Sequence, residues 1–393
     1  MTKALNRTDT NTAVAEPVRH IHWIRGALQS AISIEHASMP LYSAAMYSIE
    51  VQNYPAYNTL RAVLMEEMLH MAAACNVLAA IGGSPRIRQL DPSALRDGLP
   101  AKIAPSVTPH FAQLSRRQLD VFMRLESPLG MLPESERSTR YPTIGSFYER
   151  IKAAVTRNAG VVATAVYGRR VANQVGGNLG YAVIDAKAKD PVEQILTSLD
   201  LITDQGEGVR STTRFTGGAS QGELSHYARF AELRFGRRFS GAVESMSGPP
   251  AAEGQRRWFH GDAIAWPNVI NSLAVPRDGY AAILRLDPDR VEALRELRAF
   301  DASYTRMLGA LDDSWNGSAE QSWPSLGRAV FEMNELRVVS CFNILRRPIP
   351  VAATARGAEL YPGEWGAMAE LSRVDSPLFY GPRFLNTSLT RHG

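Results

Sequence analysis

The sequence predicts an all-α, mainly helical protein built around a four-helix bundle. In two adjacent segments, His20–Val51 and Leu60–Ile81, apolar residues recur at three- and four-residue steps, the period of one helix face. Only a short polar stretch, Gln52–Tyr57, joins them. The two helices must therefore lie antiparallel to bury both apolar stripes, which gives half of a bundle.

A second half is predicted after a long crossover. Residues Arg86–Thr143 are proline-rich, with one short helix near Ser115–Arg124, and another helix begins at Thr143. Pro191–Glu207 is the predicted third bundle helix and Gln221–Phe235 the fourth, because a proline start and a Gly- and Thr-rich linker, 208–220, delimit them. The crossover is thus longer than a bundle needs.

Two further amphipathic helices are expected near the C-terminus, Arg290–Trp315 and Trp323–Leu345, and Pro348 ends the second. The resulting organisation is a four-helix bundle with long elaborated crossovers and two additional C-terminal helices. We expect four parts: a flexible tail at 1–20, the bundle at 21–240, a connector and helical hairpin at 241–346, and an extended tail at 347–393.

Composition excludes several functional classes. The net charge is +4, from 43 Lys and Arg against 39 Asp and Glu, and the surplus is scattered in Arg pairs, so nucleic-acid binding is not indicated. The two cysteines, Cys75 and Cys341, have no zinc-like spacing, which fits a reducing cytoplasm. We expect no signal peptide and no membrane span, hence a cytoplasmic protein.

Two Glu-x-x-His motifs carry the predicted chemistry. They pair Glu67 with His70 and Glu223 with His226, and a spacing of three residues on a helix places both side chains on one face. A helix with a glutamate on its apolar face precedes each motif. These glutamates are Glu35 and Glu207. The order matches the ligand set of di-iron and di-manganese carboxylate bundles.

Burial distinguishes this set from chance motifs. A single Glu-x-x-His often arises on a solvated helix face, but a carboxylate on an apolar stripe is costly to bury unless it is paired or binds a metal. Four carboxylates and two imidazoles would neutralise two divalent cations, and oxygen and nitrogen ligands suit iron or manganese. The prediction is two Fe ions, with Mn as the alternative metal, and dioxygen as co-substrate.

Other residues receive supporting roles. Three residues lie next to ligand positions and are predicted to support the metal ligands without binding a metal themselves: Glu66, Tyr42 and Tyr227. Surface exposure or plain core packing are the alternatives. Three are candidates for substrate binding, with an ordinary loop role as the alternative: Arg210 and Arg214 in the linker, and His260 in the later connector.

The same residues carry a family resemblance. The blocks Leu28–Tyr42, Glu66–Met71, Thr143–Tyr148, Gln205–Gly208 and Glu223–Phe230 resemble the ferritin-like family typified by the iminophenyl-pyruvate dimer synthase type domain of violacein and related bisindole biosynthesis. The resemblance implies a non-haem metal centre and a role in oxidative secondary metabolism, on amino-acid-derived or aromatic intermediates. Asp204 departs from the pattern, since the family often has Glu there.

These features are compatible with three functions. The leading hypothesis is a di-iron oxidoreductase that uses dioxygen to oxygenate, desaturate or couple a small substrate, served by an electron donor or reductase. The alternative is a ferroxidase or iron-handling protein without organic turnover, and the third is a bundle without metal. About 200 residues outside the bundle favour an enclosed substrate over storage. A homodimer is the default assembly.

Overall fold

The computed structural model describes residues 12–51, 54–90, 95, 99–105, 107–167, 173–176, 183–206, 224–240, 258–276, 278–361 and 377–389, with side chains from His20 onward. Helices dominate these ranges, and the β-structure found in them consists of isolated bridges such as Ile49 with Val269. The predicted all-α fold class is confirmed.

The first two helices form the predicted antiparallel pair. Helix α1 spans Thr12–Tyr47 and packs along α2, which spans Pro55–Ala80. The predicted start of α1 at His20 is wrong, because the alanines and Glu16 of the preceding segment extend the helix without showing an apolar stripe. Helix α2 ends at Ala80, just before the predicted stop at Gly82, whose φ of +81° favours glycine.

The described part of the crossover includes four α-helices. They are α3 (Arg116–Leu125), α4 (Glu134–Arg137), α5 (Ile144–Arg157) and α6 (Ala159–Tyr167). Thr143 caps α5, since its side chain accepts a hydrogen bond from the Ser146 amide while Ser146 reciprocates. Helix α5 packs on α1, so the crossover takes part in the bundle instead of only connecting its halves.

Two further bundle helices follow the crossover, and the second of them begins later than expected. Helix α7 (Pro191–Gly206) packs on α2 and α5, and helix α8 (His226–Phe235) packs on α3 and α2. The predicted start of the fourth helix at Gln221 is wrong: Ser225 has extended backbone angles, and its side chain accepts a hydrogen bond from the Ala228 amide as the N-cap of α8.

The described C-terminal part includes a short helix, a long helical hairpin and a further helix after the hairpin. Helix α9 spans Ala281–Leu284, and α10 (Arg290–Asn316) packs along α11 (Ala319–Phe342). A helix that was not expected, α12 (Val351–Leu360), follows Pro350 within the segment predicted to be an extended tail. The alanine-rich sequence after Pro350 explains it, since proline is well placed at a helix start.

Helix α2 is the central helix of the protein. By length and composition it could span a membrane, but 67% of its most apolar window is buried inside the protein. It contacts α1, α7 and α8. Its buried face combines apolar residues with Glu67 and His70, as expected for the core helix of a bundle that encloses a polar site.

Candidate metal centre

The first half of the site surrounds His70. Its Nδ1 atom lies 3.7 Å from Glu35 Oε2 and 4.0 Å from Glu67 Oε1. Its Nε2 atom lies 2.7 Å from the side-chain oxygen of Gln205 on α7. An amide oxygen can only accept a hydrogen bond, so Nε2 carries a proton and donates a hydrogen bond to Gln205. Nδ1 therefore points its lone pair, when unprotonated, toward the two carboxylates.

The second half surrounds His226. This residue is the first of α8, and its Nδ1 atom lies 2.7 Å from Glu67 Oε1 and 3.7 Å from Glu126 Oε2. Its Nε2 atom lies 2.9 Å from Glu66 Oε2, whose other oxygen accepts a hydrogen bond of 2.8 Å from Arg229. In both histidines Nδ1 thus faces carboxylates, while Nε2 is hydrogen-bonded to a side chain on the outer side of the ring, Gln205 or Glu66.

Hydroxyl groups hold the carboxylates in place. Tyr148 on α5 donates a hydrogen bond of 2.5 Å to Glu35, and Tyr42 on α1 donates one to Glu126. The Ser38 hydroxyl donates to Glu67 at 2.8 Å. Each carboxylate thereby keeps one oxygen fixed while the other faces the histidines, an arrangement that preorganises ligand atoms.

The site is buried and carries excess negative charge. Glu35, Glu67 and Glu126 are each 3% exposed, and both histidines are at most 2% exposed. With Glu66, four carboxylates face two imidazoles and the Arg229 guanidinium. With all four carboxylates ionised, one negative charge remains even if both imidazoles are protonated. A bound cation would offset this charge, which is otherwise expensive to bury.

The pKa shifts have the causes expected from this crowding. Burial, and then the charge of Glu126, raise the pKa of Glu67 to about 7 although contact with His226 opposes them. Burial lowers the pKa of both histidines, but their contacts with carboxylates outweigh it, so the pKa of His70 is raised and that of His226 raised strongly. The crowded carboxylates thus favour positive charge at this position, which a bound metal ion would also supply.

The outer groups have fixed protonation states. Burial favours the neutral form of Glu66, but the contacts with His226 and Arg229 outweigh burial and lower its pKa to about 2. Burial and the nearby carboxylates raise the pKa of Tyr42 and Tyr148 well above the usual value. Both tyrosines are therefore hydroxyl donors, and Glu66 is an ionised acceptor, over the pH range in which proteins function.

The residues present fit a metal ion. Ligand atoms of Glu67, His70 and His226 all lie within 4.8 Å of one another. Among the described residues, the buried Nδ1 atom of His226 makes no hydrogen bond of acceptable geometry, even with Glu67 close by. The inward His226 nitrogen, which has no hydrogen bond, lies beside negatively charged carboxylate oxygens. Together these atoms form the donor set of a carboxylate and histidine metal site.

The structure brings together four of the six predicted ligands: Glu35, Glu67, His70 and His226. Glu207 and Glu223 lie outside the described residues. The spacing argument for the second motif fails, however. His226 begins α8 after the Ser225 cap, so no continuous helix connects positions 223 and 226.

The supporting residues differ in their surroundings. Glu66 binds His226 and Arg229, and Tyr42 binds Glu126, so both contact ligand-like side chains. Tyr227 is buried in the hydrophobic core. His260 is exposed, outside the buried cluster, and its amide donates to Ser240. Arg210 and Arg214 fall outside the described residues.

Sequence reasoning missed several residues of the site. The most important is Glu126, the C-cap residue of α3, which lies four residues after Phe122 and seven after Leu119 on the apolar stripe of that helix. A glutamate in that register is a usable signal. Tyr148, Ser38 and Gln205 were also missed, and their roles depend on contacts between segments far apart in the chain.

Comparisons with known proteins agree with this architecture. Residues 28–235 match the sequence model of the ferritin-like family. A solved structure of a ferritin-like protein from Caulobacter vibrioides aligns with a TM-score of 0.53 and 19% identity, covering 81% of this chain and 94% of that one. At this identity the alignment establishes the fold alone. No curated protein matched the chain.

Proposed function

Since the chain belongs to the ferritin-like family, we propose that it is a non-haem di-iron oxidoreductase that uses dioxygen to oxidise a small, amino-acid-derived or aromatic molecule. One observation carries the proposal: two buried histidines direct Nδ1 at a shared carboxylate, Glu67, and each has a further carboxylate beside it. This is a paired ligand set with one bridging position.

Five residues of the described chain would hold the metals. Glu35 and His70 would serve one ion, Glu126 and His226 the other, and Glu67 both. Glu207 and Glu223, the remaining predicted ligands, would complete the set. Iron is the proposed metal and manganese the alternative, since both accept oxygen and nitrogen ligands. Two ferrous ions would supply the electrons for dioxygen reduction that side chains cannot provide.

The protein's own groups would orient the ligands and control protons. Gln205 and Glu66 hold the Nε2 protons, so each imidazole has one orientation and one free nitrogen. Tyr148 and Tyr42 remain protonated donors to Glu35 and Glu126. Because the whole cluster is buried, bulk water is kept from the reacting position, which strengthens electrostatic interactions there.

The elaborated crossover favours an enzyme over iron storage. It supplies Glu126 and Tyr148 to the cluster and packs α5 against α1, so it is part of the site. A storage function would require only the bundle and an assembly surface. We further propose a cytoplasmic enzyme with a separate electron donor, and a homodimer as its assembly.

The proposal is tested by loading the purified chain with ferrous iron under anaerobic conditions and mixing it with dioxygen and a panel of aromatic amino-acid derivatives. We expect dioxygen uptake coupled to an oxidised organic product, detected by mass spectrometry. Repeated oxidation of excess ferrous iron with no organic product would instead establish iron handling. The absence of any dioxygen uptake by the iron-loaded protein would contradict both functions.

A further inference from the structure

A second cavity lies on the other side of the α1 and α2 pair, where α10 and α11 cover it. Its volume is about 770 Å³, within the range of small-molecule sites. On α1, His36 and Ser43 line it, whereas Glu35 and Tyr42 of the metal centre each lie one residue earlier, about 100° round the helix. The same offset separates Met68 on α2 from the neighbouring ligand. The cavity and the metal centre are therefore separate.

The walls of the cavity are apolar and adaptable. Seven methionines line it, among them Met39, Met68 and Met333, together with leucines and aromatic residues. Methionine side chains are flexible and polarisable, so such walls accommodate apolar molecules of irregular shape. The polar pair inside is already satisfied, since His36 Nε2 and the Tyr304 hydroxyl are hydrogen-bonded at 2.6 Å. The interior thus suits the apolar body of a ligand.

The mouth of the cavity is positively charged. Arg61 on α2 is exposed and Arg337 on α11 half-buried, and both belong to the lining together with the exposed residues Met65 and Val330, so these residues mark its solvent-facing side. Neither arginine has an ion-pair partner among the described residues, and Arg337 only donates to the Asn334 amide oxygen. The described lining contains no Asp or Glu. Two such guanidinium groups over an apolar interior favour an anion.

We propose that this cavity binds an amphipathic carboxylate, with the apolar chain among the methionines and the carboxylate between Arg61 and Arg337. Apolar walls and a cationic mouth match the two ends of such a molecule. A fatty acid of medium length has this chemistry, because its single charge lies at one end of a flexible chain. The site requires no metal and is distinct from the oxidation chemistry proposed above.

Dodecanoate is the probe, titrated into the full-length protein by isothermal calorimetry. We expect one equivalent to bind with a Kd on the order of micromolar and a negative heat-capacity change, the mark of apolar burial. The double variant Arg61→Gln, Arg337→Gln should bind dodecanoate at least roughly tenfold more weakly than the wild type does. The wild type should bind the uncharged analogue dodecanol at least roughly tenfold more weakly than dodecanoate. Met333→Trp, which fills the interior, should abolish binding.

Matched controls separate the cavity from other sites. Arg298→Gln removes an exposed arginine of α10 outside the cavity and should leave the affinity unchanged. Glu67→Ala should also leave the affinity within about twofold, because Glu67 does not line the cavity. Equal affinity for dodecanol, or wild-type affinity in the arginine double variant, would refute carboxylate recognition. No binding of either probe, or full binding by Met333→Trp, would refute the cavity as the site.

Discussion

The two halves of the metal centre are chemically alike but structurally different. In each half a histidine directs Nδ1 at Glu67 and lies 3.7 Å from a second glutamate, Glu35 or Glu126, which accepts a hydrogen bond from a tyrosine. His70 lies within a long helix, however, whereas His226 begins one. The same donor geometry is therefore built from two different local structures.

This difference shows what fixes a ligand position. Within α2, helical spacing alone brings Glu67 and His70 to one face. At His226 the N-cap of α8 sets the backbone, and contacts with Glu66 and Arg229 set the ring. The first half depends on helix periodicity and the second on capping and packing. The predictions below test whether the halves are nonetheless equivalent.

Removing the shared carboxylate should have the largest effect. Glu67→Ala takes away the one carboxylate oxygen that faces both histidines, at 4.0 Å from His70 Nδ1 and 2.7 Å from His226 Nδ1, so iron content after anaerobic loading should fall from about two per chain to below one. Elemental analysis of the desalted protein measures it. Glu292→Ala, which changes a half-exposed glutamate of α10, is the matched control and should load normally. Equal loading of both variants would remove Glu67 from the ligand set.

Changing the outer glutamates one at a time tests the equivalence directly. Glu35→Gln and Glu126→Gln keep the shape of the side chain but remove its charge, and each should lose about one of two metal ions. Glu136→Gln, which changes a glutamate paired with Arg124 near α3, should lose none. If Glu126→Gln loads fully while Glu35→Gln does not, Glu126 is not a ligand, and Glu207 or Glu223 takes its place.

The outer acceptors should have a smaller effect. Glu66→Gln gives the His226 half a neutral acceptor like the Gln205 of the other half, and leaves Arg229 without its partner. The affinity for ferrous iron at that position should fall roughly tenfold, since partners outside the ligand shell typically contribute 10–100-fold. Competition with a chromogenic chelator measures this change. Unchanged affinity would mean that the outer charge on Glu66 does not tune the metal.

The smallest effect concerns a histidine outside the cluster. Among the residues that the structure describes, His36 has no carboxylate partner, and burial lowers its pKa to about 3, in contrast to His70 and His226. The folded state therefore binds fewer protons than the unfolded state between pH 6.5 and 3. The contribution of neutral His36 to the free energy of unfolding is complete above pH 6.5. It is lost as the pH falls, at up to about 1.4 kcal/mol per pH unit.

Urea unfolding of the metal-free protein at pH 7.5 and pH 5 measures this term. The free energy of unfolding of the wild type should fall by about 2 kcal/mol more than that of His36→Gln over this interval, as the slope implies. The difference between the two proteins isolates His36 from the other titrating groups. An equal fall in both would show that His36 does not contribute to acid sensitivity.

The sequence was most informative where local periodicity and chemistry coincide. Glu35, Glu67 and His70 lie on apolar stripes of two long helices, so burial of polar side chains was visible in the pattern. His226 was predicted through its motif, and the structure places it beside Glu67, but the motif argument needs a helix that the structure does not have. The local structure behind this prediction was therefore wrong, although the predicted residue lies in the buried cluster.

Long-range contacts explain what the sequence could not reveal. Glu126 meets Tyr42 across 84 residues, and Tyr148 meets Glu35 across 113. No local pattern encodes such distances, and the proline-rich crossover obscured the end of α3. The sequence did not predict the early start of α1 or the helix α12, because neither segment has apolar residues at helical spacing.

The most direct test of a shared two-metal centre is an anomalous difference map, recorded at the iron edge, from a crystal of the iron-loaded protein. The account predicts two peaks, one beside His70 Nδ1 and Glu35 and the other beside His226 Nδ1 and Glu126, with Glu67 between them. A single peak, a peak at either Nε2 atom, or no peak among these residues would contradict it.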